Sequence, residues 1–491
     1  MYTEYANEIS EEDTLYEQPE RTSDIQLPPM IATFGFAIWA ALCLVGFAVI
    51  FLVREPVVGA VIIAIPTFIG MVIKPTFGLC ILMLVLPTGA GIGYAEIFSL
   101  DRGVGLVLAV AFVLNLLLSR PKVELRNKVL WVMAIYTVWI LFVSLAAPYR
   151  EFEMVRAFTQ FQLLALIIIV YWILETNGTD TYRWALRSYV IGTLGATVLA
   201  IMTGAAIRSV EETPQSRYTA TLGQAIDANM LAALMSMAFL AAVYLFVRDK
   251  SLVWKFIHVV AILFLPVMLL RVGSRGALVA LVFTILSPLL FVRQVARRPA
   301  LALLLLVVIV LACVSAGLLI EKGGLQESVV ARLTDVGYAK QSFDVRMAPI
   351  KAAVDSALKK PAGTGFYSWF EFSGSPIWPH NDFFLALGAY GIPGGLLFAL
   401  FVIMIVFTVR RTPLGLEKLY TRAVLTFLLV MGMALAQLFH KYFWVFLAFI
   451  MAGERIARVH LQANVSVADE EQEEESLRQP VLASEDGTET A

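Results

Sequence analysis

Charge is scarce in this chain. Only 15% of its 491 residues are Asp, Glu, Lys or Arg, against 59% hydrophobic, which is too little polar surface to keep a folded globule of this size in water. Histidine is scarcer, with four copies, and cysteine scarcer still, with three. Cys43, Cys80 and Cys313 all fall inside apolar runs, where a small buried side chain is the expectation and no disulfide or metal site follows. A basic segment ahead of a short apolar stretch is also missing. The start is acidic and the first apolar run, Met30 to Val53, is longer than a cleavable signal requires, so it is expected to anchor the chain and stay.

What the chain has in quantity is apolar runs of about 20 residues, the length that crosses a hydrocarbon core of roughly 30 Å. In lipid every backbone N–H and C=O must be satisfied within the protein, which permits helices or a closed barrel; these runs are continuous instead of alternating, so they are helices. The spans are expected at 30–53, 57–73, 76–88, 103–119, 128–147, 157–175 and 187–207, then at 226–247, 256–270, 276–292, 299–320, 382–408, 420–438 and 442–456. The fold class is therefore all-α, a polytopic transmembrane bundle of about 12 to 14 spans, the second and third being short enough to be re-entrant.

Charge is distributed unevenly along the chain. Residues 1–30 hold eight acids against Arg21 and residues 462–491 hold nine against Arg478. Removing net charges of −7 and −8 from the total of −1 leaves +14 on the body. The densest basic clusters, "SRPKVELRNK", "RDKSLVWK", "RQVARR" and "RRTPLGLEKLYTR", all fall on one side if the amino terminus is cytoplasmic, which is the positive-inside pattern. This reading puts a disordered acidic tail at 1–29, helices with short loops over 30–320, a long extracytoplasmic loop at 321–380, further helices over 381–456, and a second disordered acidic tail at 457–491. Both tails are then cytoplasmic.

Polar chemistry collects at the outer ends of the spans, with Asp227, Asn229, Asp382, Arg271 and Arg275. A coupled transporter would carry charge near mid-bilayer; this distribution suits an enzyme or receptor at the outer leaflet. Arginines 150, 156, 208, 217, 271, 275, 332 and 346 face outward against the positive-inside bias. Many can snorkel to headgroups. Arg275 stands between Gly273, Ser274 and Gly276, small residues that let a ligand come close, and its planar fork suits phosphate oxygens. Arg346 lies one turn before Ile350 in an apolar stripe of Ile350, Val354 and Leu358. Pro349 puts a helix start near Arg346, whose guanidinium would stand beside unpaired amides in an anion-favouring corner or simply cap a carbonyl. The loop closes with Gly363, Gly365 and the aromatics Phe366, Tyr367, Trp369, Phe370, Phe372 and Trp378, then His380. Such rings are what a membrane interface enriches, and one or two could stack on sugars. An outer imidazole with arginines available can act as a general base on a hydroxyl, or cap the following helix.

"GSRGALVAL", an arginine in a long outer loop, a glycine turn and "HNDFFLALGAYGIPGG" occur in that order, preceded by "SRYTATLGQAIDANMLAALM". Together they resemble the O-antigen ligase and O-antigen polymerase superfamily over about residues 217–400. His380 and Gly391, with ten residues between them, resemble a ligase pattern, whereas Val279 stands where an arginine-x-x-x-leucine motif would have its leucine. The resemblance implies a helical glycosyltransferase in the bacterial inner membrane, inverting, without metal or cofactor. The donor would be a glycan on undecaprenyl diphosphate and the acceptor a glycan or lipid A-core. It implies that Arg275 and Arg346, with Arg217 as a third candidate, bind the diphosphate and that His380 deprotonates the acceptor. Ser274, Asn381, Asp382 and Gly391 would support them, Asn381 and Asp382 by orienting the imidazole. Besides membrane lipids no other partner is expected, and no nucleic acid. Ligase and polymerase remain alternatives, as does, from another class, a transporter of lipid-linked glycan.

Overall fold

The computed structural model describes residues 28–88, 100–119, 127–202, 207–208, 217–218, 227–287 and 336–478. The amino-terminal tail, the span expected at 299–320, Cys313 and the first part of the long loop lie outside the described residues. The helices are α1 Pro29–Ala48, α2 Pro56–Ile73, α3 Pro75–Val85, α4 Leu100–Ser119, α5 Lys128–Ala146, α6 Arg150–Met202, α7 Ala228–Arg248, α8 Leu252–Val272 and α9 Arg275–Leu286. They continue as α10 Val336–Lys359, α11 Ser368–Ser373, α12 Asp382–Arg411, α13 Leu416–Met431 and α14 Lys441–Arg478. Between α6 and α7 two-residue strands, β1 Ile207–Arg208 and β2 Arg217–Tyr218, pair antiparallel.

Local chemistry explains where these helices begin. Proline, which lacks the N–H that a first turn leaves unpaired anyway, opens α1, α2 and α3. Side-chain oxygens of Asn127, Asp227, Ser274 and Asn381 accept from the first-turn amides of α5, α7, α9 and α12. Gly273 (φ 64°) ends α8 in the left-handed region and lets the chain turn at once into α9.

By length and composition α5, α6, α7, α8 and α12 can cross a membrane, and shorter apolar helices accompany them. This is a multi-pass membrane protein. The 53-residue α6 changes direction at Gly178 (φ 68°), so its arms supply the two helices expected at 157–175 and 187–207. With 11 residues, α3 extends about 16 Å, half a hydrocarbon core. Cys43 and Cys80 are free thiols.

Four expectations are corrected. The carboxyl tail expected as disordered from 457 is helical to Arg478, because no glycine or proline interrupts the chain between Gly453 and Pro480 and the intervening Glu, Gln, Ala, Leu and Arg favour helix. The span expected at 420–438 stops at Met431, and residues 432–440 form a compact turn. The loop helix α10 starts at Val336, ten residues before Arg346, so that arginine is not at a helix start, and Pro349 lies inside the helix. Nor is the apolar stripe of α10 its packed face. Val354 and Leu358 are exposed while Ala353 and Ala357 are buried, and a side chain on Gly388 of α12 would meet Ala353 Cβ at 2.9 Å. Small residues on both helices permit that close approach and leave the larger ones outside. Arg346 nevertheless stands over this packed face, since seven residues, about two turns, separate it from Ala353.

Candidate active site

One end of the bundle collects the starts of α6, α7, α9, α12 and α14 with the loop between α10 and α12. Hydrogen bonds tie these pieces together. Ser274 Oγ donates to Asn229 Oδ1 (2.8 Å) and accepts from Ala277 N (3.3 Å), joining α9 to α7. Asp382 Oδ1 accepts from Gln437 N (2.6 Å) and Leu438 N (2.8 Å), joining α12 to the turn before α14. A Cβ on Gly276 would lie 2.7 Å from Ala434 Cβ, so the start of α9, and with it Arg275, abuts the same turn.

The loop is seated by two acceptors and a kink. Fully buried Glu153 of α6 accepts from Phe366 N (2.6 Å), Ser368 N (2.9 Å) and Ser368 Oγ (3.3 Å). Each such bond to a charged group contributes about 1.5–3 kcal/mol, so the loop is held firmly. In α12 the helix breaks at Gly391 (φ 71°). That break frees Ala389 O to accept from Thr364 N (3.1 Å) and Gly365 N (2.9 Å), and Ile392 N donates to Pro361 O (2.8 Å). A Cβ at Gly391 would sit 2.2 Å from Pro361 O. Gly391 is thus a docking point for the glycine turn.

The aromatics of the loop pack on one another. Trp378 stacks on Phe366 (3.7 Å between centroids) and on Trp369 (5.1 Å), with Phe370 edge-on at 4.1 Å. Arg156, one turn along α6 from Glu153, lies over Phe366 (4.5 Å), Phe439 (5.2 Å) and Tyr367 (5.4 Å). Its Nε is buried with no hydrogen-bond partner, as is that of Arg271 at the end of α8.

His380 lies at the open side of this assembly. Asn381, not His380, caps α12, accepting from Phe384 N at 3.1 Å. Solvent reaches His380, yet the surrounding protein disfavours its charged form and the cation of Arg346 adds to that. Asp227 acts in the opposite sense, and the imidazole is left below its ordinary pKa. The structure therefore brings His380, Arg346 and Asp227 within electrostatic reach of one another. Among the described residues Asn381 accepts from the amide of Phe384, and Asp382 from the amides of Gln437 and Leu438. Arg217 stands opposite Arg208 in the β1–β2 pair, which packs against α8.

Sequence reasoning missed His440. It sits in the turn before α14, stacked on Tyr442 (5.9 Å, 21°). Burial pushes its pKa down to about 4; Asp227 raises it and Arg156 and Lys441 lower it. Asp227 therefore faces two imidazoles, and Arg156, grouped above with the snorkelling arginines, belongs to the site. The expected spans at 420–438 and 442–456 left His440 in a three-residue connection with no role; the helix stop at Met431 widens that connection to residues 432–440. Among the described residues no group of three or more His, Cys, Asp or Glu could hold a metal ion.

The last part of α8, all of α9 and α10 and the first half of α12 fall within residues 260–399, which match the family described as O-antigen ligase. Over these 140 residues the chain is similar to the O-antigen ligase family. The match covers Arg275, Arg346, His380 and Gly391 and ends before the turn with His440. No protein with a curated description matches the chain. Members of that family are ligases or polymerases, and the match supports a function of that kind in polysaccharide biosynthesis.

Proposed function

We propose that this enzyme transfers a glycan from a polyprenyl diphosphate to an acceptor hydroxyl at the extracytoplasmic face of the inner membrane, with His380 as general base. The reading is supported by a solvent-reached imidazole that its surroundings and the cation of Arg346 hold toward the neutral form. A neutral imidazole can take the acceptor proton, and a cation next to it can meet the charge that leaves. In this reaction His380 accepts the hydroxyl proton as the acceptor oxygen bonds to the anomeric carbon from the side opposite the donor. The carbon–oxygen bond to the diphosphate breaks, and the departing diphosphate keeps the electron pair. Arg346, and Arg275 at the amino terminus of α9, meet its charge. The ligase reading, with a lipid A-core or other glycan acceptor, is preferred on the His380–Gly391 pattern.

A transporter finds less support. Between the two ends of the bundle Tyr182, Tyr189, Phe446 and Phe449 are fully buried and pack ring against ring, Tyr189 on Phe446 at 5.0 Å and Tyr182 on Phe449 at 4.9 Å. That core offers a glycan no polar path.

Deleting the gene and profiling the glycans tests the function. Bare lipid A-core with lipid-linked polymer accumulating is the expected result. Core capped by one repeat, or loss of a secreted polymer, would make the enzyme a polymerase, and unchanged glycans would remove both readings. The orientation has its own test. Asp355 is exposed on α10, and a cysteine placed there (Asp355→Cys) is expected to react with an impermeant maleimide in cells whose outer membrane alone is permeabilised. Protection until the inner membrane is broken would put the site on the wrong face for this chemistry.

A further inference from the structure

At the end of the bundle opposite His380, Arg183, Arg187, Arg248, Lys250 and Ser251 line a cavity of about 460 Å³. Two of these arginines are held by Asp249, whose side chain is fully buried and accepts from Arg187 Nη2 (2.6 Å), Arg187 Nε (3.0 Å) and Arg183 Nη2 (3.0 Å), with His258 Nε2 at 2.9 Å. Burial works against the Asp249 charge, but the hydrogen bonds from Arg187, His258 and Arg183 outweigh it and hold the carboxyl below its usual range. One carboxylate thus answers two guanidiniums. Glu417 stands 3.8 Å from Arg248, a loose pair, and Asp180 reaches Arg183 from solvent at 3.4 Å. Three arginines and a lysine thus line one cavity, and among the described residues the Nε of Arg183 is buried without a hydrogen-bond partner. The cavity is built to take an anion.

Its rim is apolar. Trp184, Leu252, Val253 and Phe256 are all strongly exposed beside the arginines, and Trp184 and Trp254 hold the Arg187 guanidinium at 4.7 Å from each ring. A cationic cavity with an exposed apolar border suits an amphiphile that carries its charge in a phosphate and its chains alongside α8. Basic pockets between membrane helices capture anionic lipid headgroups by the same physics. We propose that this cavity is a binding site for the phosphate headgroup of an anionic glycerophospholipid. The site is separate from the His380 centre and holds whichever transfer reaction the enzyme performs.

Native mass spectrometry of the full-length protein in detergent, titrated with phosphatidylglycerol or phosphatidylcholine, tests it. Phosphatidylglycerol is expected to be retained preferentially, and Lys250→Gln, a change at an exposed rim position, to weaken that retention roughly fivefold, the effect of one surface cation. Arg183→Gln, which leaves Arg187 on Asp249, should weaken it at least as much while the lipid-free unfolding temperature stays close to that of the parent. Equal retention of the two lipids, or retention unchanged in both variants, would overturn the proposal. So would stabilisation by millimolar inorganic phosphate that phosphatidylglycerol does not exceed, which would assign the cavity to a soluble phosphate.

Discussion

Replacing His380 with alanine is expected to lower turnover by roughly 10²- to 10⁴-fold, the usual contribution of a general base, while leaving the protein folded and inserted. Folding should survive because His380 is exposed and makes no hydrogen bond among the described residues. The informative variant is His380→Asn. Asparagine is a good helix cap, so it would rescue an enzyme in which position 380 merely caps α12. The structure gives that job to Asn381, and His380→Asn should therefore be as impaired as the alanine variant. Transfer from a purified lipid diphosphate donor in nanodiscs provides the measurement. A fully active His380→Asn enzyme would refute the base assignment.

Arg346→Gln should cost roughly 10²- to 10³-fold, the scale seen when one preorganised charge-stabilising donor is removed. It should also move the pH profile. A base works only when neutral, so the rate falls as pH drops through the His380 pKa. Arg346 helps to hold that pKa below the ordinary value and Asp227 works to raise it. Removing the Arg346 cation lets the pKa rise, and the acid limb of kcat/KM moves to higher pH. Asp227→Asn keeps an amide oxygen able to cap α7 but removes the anion, so the limb moves to lower pH. Opposite displacements identify the titrating group as one lying between these two charges. An acid limb that stays in place in both variants would mean that some other group sets the profile.

Much of the candidate site could be found along the chain because it depends on short-range chemistry. Gly273, Ser274, Arg275 and Gly276 announce a tight turn into a helix start with a cation on it, and the fold contains that turn. Asn381 before an apolar run announces a cap. Other expectations failed for reasons that short-range chemistry does not contain. Ile350, Val354 and Leu358 form a good stripe by periodicity, yet α10 packs through Ala353 and Ala357, because its partner α12 offers Gly388 and the closest approach wins. The amides from which Asp382 accepts lie 55 and 56 positions away. The polar cluster around Asp249 escaped notice because Arg183, Arg187, Asp249 and His258 sit on three successive segments and converge only when α6, α7 and α8 pack.

The sequence by itself determined that this protein lives in a membrane as a helical bundle, since apolar length and the need to satisfy the backbone internally leave no other arrangement. It also determined that arginines and a histidine gather outside the spans, because charge is excluded from lipid whatever the fold. Only the tertiary structure decided which of these meet. It set Arg346 and Asp227 to act in opposite senses on the His380 charge, brought the charges of Arg156 and Asp227 to bear on His440, and packed Gly391 against the glycine turn. Those outcomes depend on side-chain volumes and backbone kinks that set helices within a few ångströms of each other, and distances of that kind exist only after packing.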